Sequence, residues 1–341
     1  MASDQKRPAG SSRLVVDDRY RDLSGIGRYA REVVPRLSVP HDILASTSDP
    51  MAKRDVLQWA RLKLKRSDVL YSPGFAVGPS RAVQVPTLHD LLHITHPRDD
   101  AGRMHALYYE RLVKPLVRRS GHVITVSPTS KRELQAWLGD EVTVHDCGNG
   151  CSPRFTIDGP SRSADRPYAV FVGNLKPHKR PELAISAVAA TDLDLVMVVP
   201  DPDEARGLAE RLGLTDRVTA VSGIDDDELA AIYRGGVATL VTSEWEGFGL
   251  PVVESLRCGT PVLYARECES VAELSSNDPA SVGLGGEAHP REWASALSDV
   301  ASSGRRAEAT EDWLAAFDWA SVADRVSEVL RSVQRDGEQR G

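Results

Sequence analysis

Short apolar runs alternate with stretches of helical period along most of the chain, and they do so twice. In the first half the runs predict strands over Arg13–Val16, Asp42–Ala45, Val69–Ser72, Val85–Leu88, Val123–Val126 and Val142–His145. In the second half they predict strands over Ala169–Val172, Leu193–Val199, Val218–Val221, Val237–Thr242 and Pro261–Tyr264. Helical periodicity falls between them, over Gly27–Leu37, Met104–Arg119, Ser130–Leu138, Pro181–Ala190, Asp203–Leu212 and Asp226–Tyr233. Strands alternating with helices predict an α/β chain of parallel, doubly wound sheets, and two such series fit two Rossmann-like domains. The run Thr156–Arg166 is almost devoid of apolar residues and reads as the linker. The reading is of an N-terminal domain over 13–160 and a C-terminal domain over 167–312. Apolar residues recur with helical spacing at Trp313, Leu314, Phe317, Trp319, Val322, Val326 and Leu330, which predicts a last helix over 313–334. The polar ends, 1–12 and 335–341, are expected to be disordered.

Composition narrows the class. A chain of 341 residues exceeds one ordinary core. Its formal charge of -7 argues against wholesale nucleic-acid binding. Residues 1–12 lack the apolar core of a secretory signal, and no apolar run approaches the roughly 20 residues that span a bilayer. The four cysteines, Cys147, Cys151, Cys258 and Cys268, have no spacing that suggests a zinc site and read as free thiols of a reducing cytoplasm. The segment Lys53–Arg66 is basic with interleaved Leu57, Trp59, Leu62 and Leu64. It suits either a helix packed on the sheet or a peripheral contact with an anionic membrane at its inner face, to which Arg111, Lys114, Arg118 and Arg119 would add.

The most informative segment is Ser243-Glu244-Trp245-Glu246-Gly247-Phe248-Gly249-Leu250-Pro251-Val252-Val253-Glu254. It follows a strand, passes a glycine-rich turn and enters a helix, with Pro251 suited to the first helical position and Gly259 to the stop. Backbone N–H groups at such a helix start can dock a phosphate. Glu246 and Glu254 stand on either side. The string EGFGLPVVE resembles the Glu-x7-Glu signature of retaining nucleotide-sugar glycosyltransferases of family 4, which have the GT-B fold. The resemblance implies that Glu246 contacts the donor sugar and Glu254 the nucleotide ribose, with Gly247, Phe248, Gly249 and Leu250 around the donor phosphates. It also implies that the last helix crosses back onto the N-terminal domain and that the two domains face a central cleft.

Three further motifs follow strands, where ligands bind in open parallel sheets. Ser24-Gly25-Ile26-Gly27-Arg28-Tyr29-Ala30 matches a dinucleotide fingerprint, but Asp17–Leu23 separates it from its strand, which argues against NAD. It resembles the family's SGIGRY loop, where Gly25 and Gly27 would let amides approach the donor diphosphate or the acceptor. His89-Asp90 ends a strand. The family places a His there against the transferred sugar, and Asp90 reads as a helix cap or as an orienting partner on the acceptor side. His93 and His96 read as loop residues. Gly173-Asn174-Leu175-Lys176-Pro177-His178-Lys179-Arg180 sets three cations near a helix start, which the helix dipole disfavours unless an anion docks there. Lys179 matches the family's diphosphate-binding Lys. Asn174 stands where the family often has Arg, so either Asn174 donates a neutral hydrogen bond to the donor or Lys176 or Arg180 supplies the missing charge. Ser127, in Val126-Ser127-Pro128-Thr129-Ser130, resembles a strand-end Ser near the acceptor or phosphate.

The expected reaction moves a hexose from a GDP-, UDP- or dTDP-sugar to an acceptor hydroxyl of a glycan, a lipid-linked glycan or a small metabolite, with retention. His89, Lys179 and Glu246 form the expected catalytic set. No cofactor or metal is expected, because no Asp-x-Asp clamp ends a strand. The competing readings are an epimerase or phosphorylase on the same fold, a non-catalytic sugar-nucleotide binder and, last, an NAD oxidoreductase.

Overall fold

The computed structural model describes residues 12–20, 25–45, 59–95 and 100–339. The chain divides into two units, one formed by Met1–Asn149 with Trp319–Gly341 and the other by Gly150–Asp318.

The first unit is built on β1 (Leu14–Val16), β2 (Asp42–Ile43), β3 (Val69–Ser72), β4 (Val83–Pro86), β5 (His122–Thr125) and β6 (Thr143–Asp146). The order β2-β1-β3-β4 is wholly parallel, and β5 pairs in parallel with β6. A bridge between Thr87 and Ile124 joins β4 to β5, closed by Leu88 N–H on Ile124 O at 2.9 Å and Thr125 Oγ1 on Leu88 O at 2.7 Å. These strands are apolar runs because both faces of a parallel sheet are covered; Leu14, Val16, Val69, Tyr71 and Val85 are fully buried.

The helix expected over Met104–Arg119 is continuous but not uniform. Asp100–Tyr108 passes through a π-helical turn, Tyr109–Val113, into Lys114–Ser120. Pro115 cannot donate to the carbonyl of Arg111, and the widened turn accommodates that lost bond.

The last helix differs from its sequence expectation at both ends. A short helix, Glu311–Ala315, stops before Phe317, and the long helix runs Trp319–Gln339, into a stretch whose polarity suggested disorder. Contacts within the first unit hold its end. Glu338 Oε1 accepts from Ser12 N–H at 3.1 Å, and Gly337 lies so close to Ser67 O that a Cβ there would stand 2.9 Å away. Arg325 Nε donates to Cys147 O at 2.8 Å, and Ser327 Oγ accepts from Ser38 N–H at 3.0 Å.

The second unit is one six-stranded parallel sheet of β7 (Tyr168–Val172), β8 (Asp194–Val198), β9 (Val218–Val221), β10 (Thr239–Val241), β11 (Val262–Ala265) and β12 (Val282–Leu284). Its order is β12-β11-β10-β7-β8-β9, so the winding reverses between β7 and β10. Phe171, Leu195, Met197, Leu240, Leu263 and Trp293 fill one side of this sheet. The segment Thr156–Arg166 is folded into this unit: Arg234 donates to Pro160 O and Thr156 O, and Arg162 N–H to Ala231 O. The chain passes between units earlier, at Asn149–Gly150, and returns at Asp318–Trp319. Cys151 N–H donates to Phe317 O at 2.7 Å, which ties the two passages together.

Candidate active site

The strand order reverses between β7 and β10, and the carboxyl ends of strands at such a reversal are the usual ligand position in a doubly wound sheet. The loops after these two strands carry the two strongest sequence motifs. After β7 the chain runs through Gly173–Lys176 and a 3-10 turn, Pro177–Lys179, before the helix Pro181–Val188. After β10 it runs through Thr242–Gly249 into the helix Leu250–Arg257.

Lys179 and Glu246 meet here. Lys179 Nζ donates to Glu246 Oε1, with side-chain exposures of 13% and 14%. Ser243 Oγ donates to the same carboxylate oxygen at 2.7 Å, and Ser270 Oγ to the Glu246 carbonyl at 2.7 Å. The loops are stitched along their length. Glu244 N–H donates to His178 O at 2.8 Å, and Thr242 Oγ1 to Lys179 O at 2.6 Å and Arg180 O at 3.1 Å. The His178 and Trp245 rings stack at 5.8 Å and 12°. The result is a carboxylate fixed by two donors on one oxygen, with Oε2 able to accept. Beside it stands an ammonium with further donors for an anion.

The remaining residues of this pair of loops take different parts. Asn174 Oδ1 accepts from Lys176 N–H at 3.1 Å, a local turn, and the Lys176 side chain is exposed. Arg180 does not reach toward solvent as a spare cation: it sits at φ 49° and its Nη1 donates to Gly286 O at 2.8 Å. A non-glycine residue in the left-handed region is uncommon, so this backbone is strained next to the site. The three cations precede the helix Pro181–Val188 instead of occupying its first turn, which carries Glu182.

Gly249, at φ 107°, is the N-cap of the helix Leu250–Arg257 and provides no side-chain cap. A Cβ there would meet Val271 at 3.2 Å, so only glycine suits this turn. Phe248 is buried and packs edge-on against Phe317 at 5.8 Å, while Gly247 is half-buried. Glu254 is 4% exposed, and its Oε2 accepts from Tyr233 Oη at 3.0 Å. Burial foremost, and the Glu254 carboxylate after it, push the Tyr233 hydroxyl well above its ordinary value. It therefore remains a donor.

In the first unit, Gly25 and Gly27 lie inside a helix, Gly25–Val33, and not in a loop before it. Gly25 is exposed with open space around it, and Gly27 is buried. Ser24 lies outside the described residues. His89 follows β4. Its Nε2 stands 3.1 Å from Pro73 O, and its ring meets Tyr29 edge-on at 5.0 Å. A carbonyl can only accept, so Nε2 carries the proton and Nδ1 is the acceptor of the neutral ring. Burial lowers the His89 pKa, opposed by the Pro73 carbonyl and by Asp90.

Asp90 Oδ1 accepts from Leu92 N–H at 3.0 Å and caps the short helix Leu92–Thr95, which contains His93. His96 is outside the described residues. Ser127 is buried, and its hydroxyl accepts from Ser130 N–H at 3.0 Å as the N-cap of Pro128–Leu138.

Sequence reasoning missed Ser243, Ser270 and Tyr233, each of which orients a carboxylate or backbone group of the motif. No local pattern marks them. It also missed Asp17, fully buried at the end of β1 and held by both arms of Arg19 at 2.7 Å.

Among known proteins, residues 154–309 match the family model described as glycosyl transferases group 1. A D-inositol 3-phosphate glycosyltransferase of Mycolicibacterium vanbaalenii is 31% identical over 180 residues, 47% of this chain and 40% of the relative. One of Acidothermus cellulolyticus is 31% identical over 213 residues, 57% of this chain and 46% of the relative. The chain thus spans less than half the length of these curated relatives. Among solved structures, sucrose-phosphate synthase from Thermosynechococcus elongatus aligns with a TM-score of 0.68 at 17% identity, covering 94% of this chain and 98% of that one. WaaG, a glycosyltransferase involved in lipopolysaccharide biosynthesis, aligns at 0.62 and 13% identity, covering 95% and 98%. At such identities the likeness is one of fold. The chain has the GT-B fold, and its segment 154–309 matches the glycosyl transferases group 1 model.

Proposed function

We propose that the protein is a retaining glycosyltransferase that moves a hexose from a nucleoside-diphosphate sugar to an acceptor hydroxyl. The observation that carries this reading is the Lys179–Glu246 pair at the reversal point of the second sheet, held by Ser243 and Ser270. The group 1 match over the same segment supports it.

In this reading the donor diphosphate lies against Lys179 and the N–H groups that open the helix Leu250–Arg257, with charge assistance from Lys176. Glu246 accepts a hydrogen bond from the sugar, and Glu254 holds the ribose. The bond from the anomeric carbon to the phosphate oxygen breaks as the acceptor oxygen bonds the same face of that carbon. The acceptor proton passes to the departing phosphate, so no carboxylate nucleophile is needed. Lys179 neutralises the charge that develops on the leaving group. His89, neutral and accepting at Nδ1, belongs to the sugar-binding set, and Asp90 and Ser127 act on the acceptor side by fixing the loops around it. The four cysteines are buried and form no disulfide, in keeping with a cytoplasmic enzyme. Among the described residues no helix is long and apolar enough to cross a membrane.

Donors to screen are UDP-, GDP- and dTDP-hexoses; one structural neighbour, the pneumococcal O-GlcNAc transferase GtfA, is solved in complex with UDP and GlcNAc. Acceptors to screen include D-inositol 3-phosphate, after the curated relatives, with lipid-linked and soluble glycans. Transfer is read by mass spectrometry, and anomeric configuration by NMR of the product. Lys179→Ala is expected to lower turnover by about a thousandfold, as removal of a transition-state donor does, and Glu246→Ala, which removes the acceptor for the sugar, to lower it strongly as well. Near-wild-type turnover in both folded variants overturns the site assignment.

A further inference from the structure

The first unit carries a second charged concavity, at the amino ends of its strands, opposite the carboxyl end from which His89 follows. Lys63 and Lys65 precede β3, Ser80 and Arg81 precede β4, and Arg119 lies near the end of the helix Lys114–Ser120, just before β5. All five are at the amino ends of parallel strands, and they line one cavity of about 650 Å³. Among the described residues no carboxylate lines it. The nearest acid in sequence, Asp68, is 2% exposed and turned inward, accepting from Lys65 N–H at 2.7 Å and Arg13 N–H at 3.0 Å. Arg119 Nη2 donates to the Ser80 carbonyl, which fixes its guanidinium across the cavity wall.

Four cations around one concavity repel one another and raise the local positive potential, an arrangement that an anion relieves. Two of them are Arg, whose fork matches phosphate oxygens in pairs, and Ser80 adds a hydroxyl. Ala60, Leu62 and Pro79 add apolar surface to the lining, and the four cations set its charge.

We propose that this cavity binds a phosphate-bearing anion, either free in solution or as the headgroup of an anionic lipid. The two sources present the same oxygens to the same cations. The site stands a strand's length, about 13 Å, from the carboxyl-end loops of the same sheet. It is therefore independent of the transfer reaction proposed above and does not rest on it.

The test uses the whole protein and two probes. Inorganic pyrophosphate is added and amide exchange is followed by mass spectrometry over 60–65 and 79–82. In parallel, sedimentation with phosphatidylglycerol vesicles is compared with phosphatidylcholine vesicles. The variant is Lys63→Ala with Arg81→Ala, both exposed positions outside the proposed donor and sugar-binding sets.

Protection of those peptides by pyrophosphate, weakened about tenfold or more in midpoint by the variant, assigns a soluble phosphate ligand. Sedimentation with phosphatidylglycerol only, lost in the variant and screened by salt, assigns the headgroup. Neither effect in the wild type, or effects that the variant leaves unchanged, overturn the proposal. Circular dichroism and the nucleotide-induced thermal shift of the variant, expected unchanged, separate loss of the site from loss of the fold.

Discussion

Glu246 takes both of its donors on one oxygen, and the two donors differ in kind. Lys179 brings charge that a leaving phosphate also needs, whereas Ser243 only orients. Ser243→Ala is therefore expected to leave the donor's charge balance intact and to lower kcat/KM by about ten- to a hundredfold, the worth of one hydrogen bond to a charged group. Steady-state kinetics at saturating acceptor check this, and an unchanged kcat/KM removes Ser243 from the site. The two loops that carry Lys179, Glu246 and Glu254 toward a helix were legible because a glycine turn between a strand and a helix start leaves a local pattern. Ser243 and Ser270 were not: Ser243 reaches the Glu246 carboxylate from three residues away through the fold of its own loop, and Ser270 reaches the Glu246 carbonyl only once the loops after β10 and β11 are folded together. Ser127 shows the reverse case: it stands where a group near the acceptor or phosphate was expected and commits its oxygen to a helix start, whereas Asp90 accepts from Leu92 N–H, in line with its reading as a helix cap.

Elements were legible where several apolar residues lay side by side, as in Tyr168–Val172 and Asp194–Val198. Strand β12 was not: Val282-Gly283-Leu284 is three residues with a glycine at its centre, too short to show a period. The pair β5–β6 adds a feature that depends on register. Ile124 stands opposite His145, and His122 Nδ1 comes within 3.3 Å of His145 Nε2, with the rings stacked at 5.6 Å. Burial first, then the His122 and Lys131 charges, hold His145 down to about 4, below its ordinary 6.5. Between those values the unfolded chain binds a proton that the folded chain refuses. Stability from this group is therefore full above about 6.5 and is lost as pH falls toward 4. Urea midpoints at pH 7 and pH 5 are expected to drop less for His145→Gln than for the wild type. An equal drop in both excludes this strand pair as a source of acid sensitivity.

For the molecule as a whole, the helical pattern near the end of the chain pointed to a last helix, the family resemblance implied its return to the first domain, and its contacts with Ser12, Ser38, Ser67 and Cys147 lie in the first unit. Its start was obscured by Trp313, Leu314 and Phe317, which continue the apolar spacing into a separate short helix. The long helix buries Trp319, Val322, Val326, Leu330 and Val333. At roughly 2 kcal/mol each, their burial contributes about 10 kcal/mol, as much as the net stability of a whole domain. A chain ending at Asp318 is expected to lose the cooperative unfolding of its first unit while residues 150–318 stay resistant to limited proteolysis. Survival of the first unit's core peptides under the same digestion argues that the helix is dispensable.

The interrupted first unit also dictates an order of events during synthesis. Its first 149 residues leave the ribosome without the helix that completes their core, and the whole second unit must be made before that helix follows. At about 5–20 residues per second, the incomplete unit waits on the order of ten seconds or more. Over that interval the apolar surface awaiting Trp319 and Leu330 is open to any other apolar segment nearby. The second unit, continuous in sequence, closes its own core first, so the loops that pair Lys179 with Glu246 are built before the domain that precedes them is finished.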